Sequence, residues 1–160
     1  MDQSQTNKIT DEKVALVKAQ NYCAYQERSQ QELRDKLHEW GVYPSIVEKV
    51  ISTLIENNFL NEERFAIAYA TGKLRQKGWG RNKIKQGLKL KKVSDPLIKK
   101  ALKSIDEDEY LEMLRKIIQK KESYITEKES YKRKYKLHQY LLSRGFESDL
   151  IAEVLRDNEL

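Results

Sequence analysis

Cysteine is reduced to a single residue, Cys23, in a chain of 160, and histidine to two, His38 and His138. One thiol excludes an intramolecular disulfide framework, and these three residues have no zinc-ligand spacing. Proline occurs twice and glycine six times, so long stretches run free of helix breakers. No segment approaches the ~20 consecutive apolar residues of a membrane span. The opening MDQSQTNKIT lacks the apolar core of an export signal, so a cytoplasmic chain with no membrane partner is expected, its first ten residues disordered. There is no phosphate-binding glycine loop, because Thr71-Gly72-Lys73 lacks both the upstream glycine and the hydroxyl after the lysine. No nucleophile and base, and no metal set, can be assembled, which points to a non-enzymatic protein without a cofactor. The acidic run Asp106 to Glu109 suits a helix start, where the dipole favours carboxylates without an ion. Cys23 sits in an apolar helical stretch and is expected in the core.

What is present is enough to fold. Leu, Ile, Val and Phe supply 40 of 160 residues, above the roughly 20% below which a charged chain stays disordered. With 35% of residues charged, much of each helix must stay wet, so a thin or elongated molecule is expected. Apolar residues recur at spacings of three and four and no segment reads as a strand, which predicts an all-α protein. Ser29 with Glu32 forms a capping-box signature, Gly41 is a helix stop, and Pro44 and Pro96 fall at helix starts.

These signals repeat. LRDKLHEWGVYPSIVEKVI from Leu33, IKQGLKLKKVSDPLIKKAL from Ile84 and LHQYLLSRGFESDLIAEVL from Leu137 align without a gap. Leu33, Leu37, Val42, Ile46, Val47, Val50 and Ile51 match Ile84, Leu88, Val93, Leu97, Ile98, Ala101 and Leu102. The third set is Leu137, Leu141, Phe146, Leu150, Ile151, Val154 and Leu155. Seven apolar positions held in register three times indicate one supersecondary unit repeated. Each unit is expected to place one helix, over residues 11–28, 61–77 and 107–122, before this helix-turn-helix pair. The predicted repeats therefore span residues 11–58, 59–104 and 105–160. Residues 123–130, SYITEKES, read either as a connector or as extensions of the flanking helices. Tyr22, Tyr25, Tyr69, Tyr131, Tyr135 and Tyr140 fall on predicted helices, and most are expected to pack.

Charge does not follow the repeat. Residues 1–58 carry 7 basic and 9 acidic groups, residues 59–104 carry 13 and 3, and residues 105–160 carry 11 and 13. Because all three units share the apolar register, packing alone does not demand a cationic centre, and a polyanion or acidic partner explains it. Arg81, Lys85, Lys89 and Lys92 recur every three or four residues as a basic stripe on one amphipathic helix, with Lys83 beside it. Lys73, Arg75 and Lys77 end the preceding helix, where cations also complement the dipole. Between them Gly78, Trp79 and Gly80 form a turn whose indole is able to stack on a base, anchor an interface or cap a hydrophobic seam.

The segment FLNEERFAIAYATGKLRQKGWGRNKIKQGLKLKKVSD closely resembles the central motif of the RecX regulatory family. There an acidic turn leads to Arg, Phe and Ala, a basic helix, a Gly-aromatic-Gly turn and a second basic helix; Arg64, Phe65, Ala66, Gly78, Gly80, Arg81 and Ile84 match. The upstream YCAYQERSQQELRDKLHEWGV and downstream YLLSRGFESDLIAEVL look like its first and last repeats. Gly87 and Leu90 depart from the usual Glu and polar residue, and Asn61 stands where Asp is usual. The resemblance implies three tandem three-helix repeats in an elongated, curved array that binds the RecA recombinase filament. Filament growth, strand exchange, RecA ATPase and co-protease activity would be suppressed. The expected contact residues are Arg64, Lys73, Arg75, Lys77, Trp79, Arg81, Lys83, Lys85, Lys89 and Lys92, meeting acidic RecA surface, single-stranded DNA bound weakly or through RecA, or both. The alternative is a stand-alone, sequence-nonspecific DNA-binding helical module. With no coiled-coil seam, a monomer is expected.

Overall fold

A computed structural model of the chain describes residues 11–157. The expectation for the opening ten residues lies outside them. Among the described residues there are nine helices and no strand. They are α1 (Glu12–Tyr25), α2 (Gln30–Glu39), α3 (Pro44–Glu56), α4 (Glu62–Lys77), α5 (Arg81–Leu90), α6 (Asp95–Lys103), α7 (Glu107–Glu122), α8 (Ser130–Ser143) and α9 (Ser148–Asp157).

Local chemistry sets the boundaries. The first helix of every triplet starts at an Asx cap: Asp11 accepts from the amide of Lys13, Asn61 from that of Arg64 and Asp106 from that of Glu109. Asn61 thus performs the capping that an Asp would. Ser29 and Glu32 form the reciprocal capping box, and Pro44 and Pro96 occupy first-turn positions where the missing N–H costs nothing. Gly41 and Gly145 end α2 and α8 with φ of 76° and 95°. The register-equivalent residue after α5 is Lys92, at φ 59°. Helix α5 therefore stops at Leu90, and Lys92 belongs to the turn rather than to the helical stripe in which its sequence spacing puts it. Residues 123–129 do not extend the flanking helices; Arg133 Nη1 donates to the carbonyls of Ile125 at 2.9 Å and Glu127 at 2.8 Å and so holds the connector.

The repeated register is the core. Of its twenty-one positions all are buried except Ile46, Leu97, Leu150 and Leu102, and the first three are one register position, half-buried in every triplet. A fully buried Leu or Ile contributes roughly 1.5–3 kcal/mol, so each helix pair is held mainly by this face. The chain folds as two compact units, one of residues 11–66 with Lys91–Val93, the other of Ile67–Leu90 with residues 94–157. The first unit has Ala15, Ala19 and Cys23 of α1 against Leu33, Leu37, Val47, Val50 and Leu54, with Tyr22 and Trp40 edge to face at 5.8 Å on its flank. Burial pushes the Cys23 thiol up to about 11, as befits a core residue rather than a reactive one. Tyr25, Tyr131 and Tyr135 are corrections to the packing expectation, at 84%, 77% and 60% exposed. Tyr25 is the last residue of α1, and Tyr131 and Tyr135 share a face of α8 distinct from that of Leu137 and Leu141.

Candidate binding surface on helices α4 and α5

The second unit is organised around two turns that touch backbone to backbone. Gly80 N donates to the carbonyl of Arg144 at 2.9 Å, and Asn82 N donates to that of Gly145 at 2.9 Å. A β-carbon on Gly80 would fall on the backbone of Gly145 and Phe146, and one on Gly145 would fall on Lys83. At Gly80 the approach of the two backbone segments alone requires glycine, and at Gly145 a φ of 95° adds to it. Beneath the turns Tyr110 is fully buried, its ring 5.3 Å from that of Phe146. Its hydroxyl donates to Glu147 and accepts from the amide of Arg81 at 3.0 Å.

This junction decides what Arg81 does. Its guanidinium lies over the Tyr110 ring at 3.9 Å and pairs with Glu147 at 2.8 Å and with Glu107, leaving the side chain 18% exposed. Burial is the largest single influence and works against its charge, but the hydrogen bond to Glu147 together with the charge interactions with Glu147, Tyr110 and Glu107 leaves its pKa raised. Two other arginines are similarly occupied. Arg64 donates to Glu27 at 2.7 Å and to Asn58 Oδ1 and the Asn58 carbonyl at 3.1 Å each, holding the turn in which Asn58 has φ 62°. Arg75 grips both carboxylate oxygens of Glu109, raising its own pKa and lowering that of the acid. In the sequence all three group with the binding cations, Arg64 through the family resemblance, Arg75 as a helix-end cation and Arg81 through the stripe spacing; in the fold each pairs with a carboxylate of the chain itself. Arginine is suited to such bidentate pairing in a way lysine is not.

Removing them leaves lysines and one indole. Lys77 ends α4 exposed, and Lys85 and Lys89 project from α5 exposed, one turn apart, with no ion pair among the described residues. Lys73 and Lys83 instead address Trp79, each ammonium 4.9 Å from the indole centroid. Lys73 is also 5.4 Å from the Tyr69 ring, which meets Trp79 at 66° and 6.5 Å. Trp79 is half-buried, so it both seals the α4–α5 turn and keeps an edge in solvent. Gly87 makes room for this arrangement, because any β-carbon there would collide with the Tyr69 hydroxyl. Tyr69 is absent from the contact residues expected from the sequence; its spacing from Lys73 on one helix face is the signal that points to it. Leu90, 82% exposed at the end of α5 beside Lys89, adds an apolar contact. The surface is thus cationic with an aromatic centre and an apolar edge. Chemically it is able to hold phosphates or carboxylates while presenting a flat ring.

Comparison with known proteins follows the same three-part division. The models of the first, second and third three-helix domains of RecX match residues 15–54, 61–102 and 107–155. The Regulatory protein RecX of Clostridium perfringens strain 13 is 37% identical over 131 residues, 81% of this chain and 61% of the relative, so the chain spans under two thirds of that protein's length. The Regulatory protein RecX of Haemophilus influenzae strain PittGG is 33% identical over 140 residues, covering 87% of this chain and 91% of the relative. In structure the chain is similar to the crystal structure of RecX from Lactobacillus salivarius, with a TM-score of 0.82 over 91% of this chain and 95% of that one at 23% identity. Three tandem three-helix domains, matched in order over most of the sequence, place the chain in the RecX family of regulatory proteins.

Proposed function

We propose that the chain is a non-enzymatic regulator that binds the RecA recombinase filament in the cytoplasm as a monomer. By binding, it hinders filament growth and lowers strand exchange, ATP hydrolysis and co-protease activity. The observation that supports this reading most is the surviving charge of the second domain. After internal ion pairs are assigned, Lys77, Lys85 and Lys89 still face solvent, on the two helices joined by the turn whose indole is flanked by Lys73 and Lys83. Lys92 in the turn after α5 is exposed as well. Modest contacts made by several tandem domains add through effective concentration, so no single one needs to be strong. Arg75 and Arg81 support the surface by tying the end of α4 and the start of α5 to α7.

Filament assembly on single-stranded DNA, followed by light scattering with increasing amounts of the chain, tests the reading. Growth should slow in a dose-dependent way; assembly unaltered across a wide concentration range would end it.

The second reading is a DNA-binding module in its own right, favoured by the stacking chemistry of Trp79. It requires direct affinity for naked single strands with a log-log salt slope of about −3 to −4 for ~4–6 phosphate contacts. Leu90 separates the two. Leu90→Ser, which removes the apolar contact without changing charge, should weaken action on RecA and barely change binding to naked DNA under the first reading, whereas under the second any loss should appear equally in both.

A further inference from the structure

A second cationic site lies away from α5, in a cleft of about 350 Å³ between the end of α4, α7 and the end of α8. Its charged lining is basic throughout, and no carboxylate among the described residues faces it. Arg75 reaches the rim but is held by Glu109, so the available cations are Lys77, Lys120, Lys121 and Arg144. Met113 and Ile117 supply an apolar wall.

Two details make the cleft more than a solvated basic patch. Arg144 is fixed by Nη2, which donates to the carbonyls of Lys77 and Gly78, while its Nε is buried without a hydrogen-bond partner. The two carbonyl bonds hold the guanidinium in one orientation at the wall of the cleft. On the other side, Lys121 Nζ lies 4.4 Å from the Tyr140 ring centroid, and Tyr124 is 70% exposed. Lys121, Tyr124 and Tyr140 also line an adjoining hollow of about 390 Å³, so the two form one trough. Each hollow is of small-molecule size.

From this we infer that the trough binds a nucleotide, its phosphate met by Lys77, Lys120 and Arg144 and its base stacked on the tyrosines. Acidic peptide satisfies the cations but leaves the aromatic faces and the apolar wall unused; a nucleotide uses all three. The chemistry is the same for a free nucleoside triphosphate and for one unit of a single strand. The site shares Lys77 with the surface described above but none of the α5 lysines, and it does not rest on the RecA reading.

Fluorescence anisotropy of the intact chain with a ribose-labelled ATP and, separately, a labelled oligothymidylate tests it. At least one probe should bind saturably, and the one that does identifies the source. Lys120→Gln with Lys121→Gln, and Tyr124→Ala on its own, should each weaken that binding about tenfold. Lys85→Gln with Lys89→Gln should leave the ATP probe unchanged, and circular dichroism should show all variants folded. Failure of both probes to bind, binding indifferent to the trough substitutions, or displacement by poly-glutamate as effective as by unlabelled nucleotide would each overturn the proposal.

Discussion

Arg81 and Tyr110 are joined twice: the guanidinium of Arg81 covers the tyrosine ring at 3.9 Å, and its amide donates to the tyrosine hydroxyl at 3.0 Å. The same hydroxyl donates to Glu147, which also pairs with Arg81. Arginine, phenol and carboxylate thus close a ring of interactions that docks the start of α5 onto α7 and the turn before α9. Arg81→Ala leaves Glu147 partly buried without its cation and should destabilise the protein by about 2–4 kcal/mol. Tyr110→Phe strands one donor and one acceptor and should cost about 1–3 kcal/mol. Lys85→Ala and Lys89→Ala should stay within ~0.5 kcal/mol. Urea unfolding of the four variants checks the ranking, and equal effects for Arg81 and Lys85 would refute the distinction drawn between them.

Gly80 is closed in by backbone at the same junction. Gly80→Ala forces apart two backbones joined by the Gly80–Arg144 and Asn82–Gly145 hydrogen bonds. The expected loss is about 3 kcal/mol, at the upper end of overpacking costs. Gly72→Ala is the contrast, since a β-carbon there meets nothing within 4 Å and a helical alanine is favoured over glycine by roughly 1 kcal/mol. Thermal melts should move in opposite directions for the two.

The contrast between these glycines shows what is legible in the sequence. The apolar register from Leu33, Ile84 and Leu137, together with local caps such as Ser29 with Glu32, reads directly, because each depends on residues a few positions apart. The partners of Arg81 do not. Glu107 and Glu147 lie 26 and 66 residues away, and along α5 alone Arg81 looks like another member of the series with Lys85 and Lys89. A charge stripe counts cations without subtracting those that tertiary ion pairs consume. One hint is present, since glycines on both sides of Trp79 announce a close backbone approach beside Arg81. The trough at Lys120, Lys121 and Arg144 is hidden for the complementary reason: its cations belong to a repeat whose net charge is negative.

Lys92 carries a backbone conformation that the other repeats assign to glycine. An L-residue in the left-handed region is penalised by roughly 1–2 kcal/mol, partly offset by the larger entropy that glycine loses on folding. Lys92→Gly should therefore stabilise the protein by about 0.5–1 kcal/mol while removing a proposed contact residue. A higher melting temperature with weaker action on RecA would show stability exchanged for function at this turn; a lower melting temperature would contradict the backbone argument.

Glu62 gives the first unit a pH dependence of unusual sign. Burial raises its carboxyl pKa, opposed by the Gln30 amide that it accepts at 3.3 Å and by Arg34, and its Oε1 has no hydrogen-bond partner. The folded chain therefore keeps this proton to higher pH than the unfolded chain. Stability attributable to Glu62 is present below the ordinary carboxylate pKa and declines as pH rises through the raised one. Glu62→Gln removes the charged form but keeps an acceptor for Gln30. Its melting temperature relative to the unmodified chain should climb between acid and neutral pH, and a constant offset would show that burial does not perturb the group.

The role proposed for the α5 lysines is tested most directly by the single-stranded-DNA-dependent ATPase of RecA, titrated with the unmodified chain and with Lys85→Glu/Lys89→Glu. Both residues are exposed and unpaired among the described residues, so the variant should melt like its parent. The concentration needed for half-inhibition should rise about tenfold or more. Undiminished inhibition by a folded double variant would contradict the assignment of this surface.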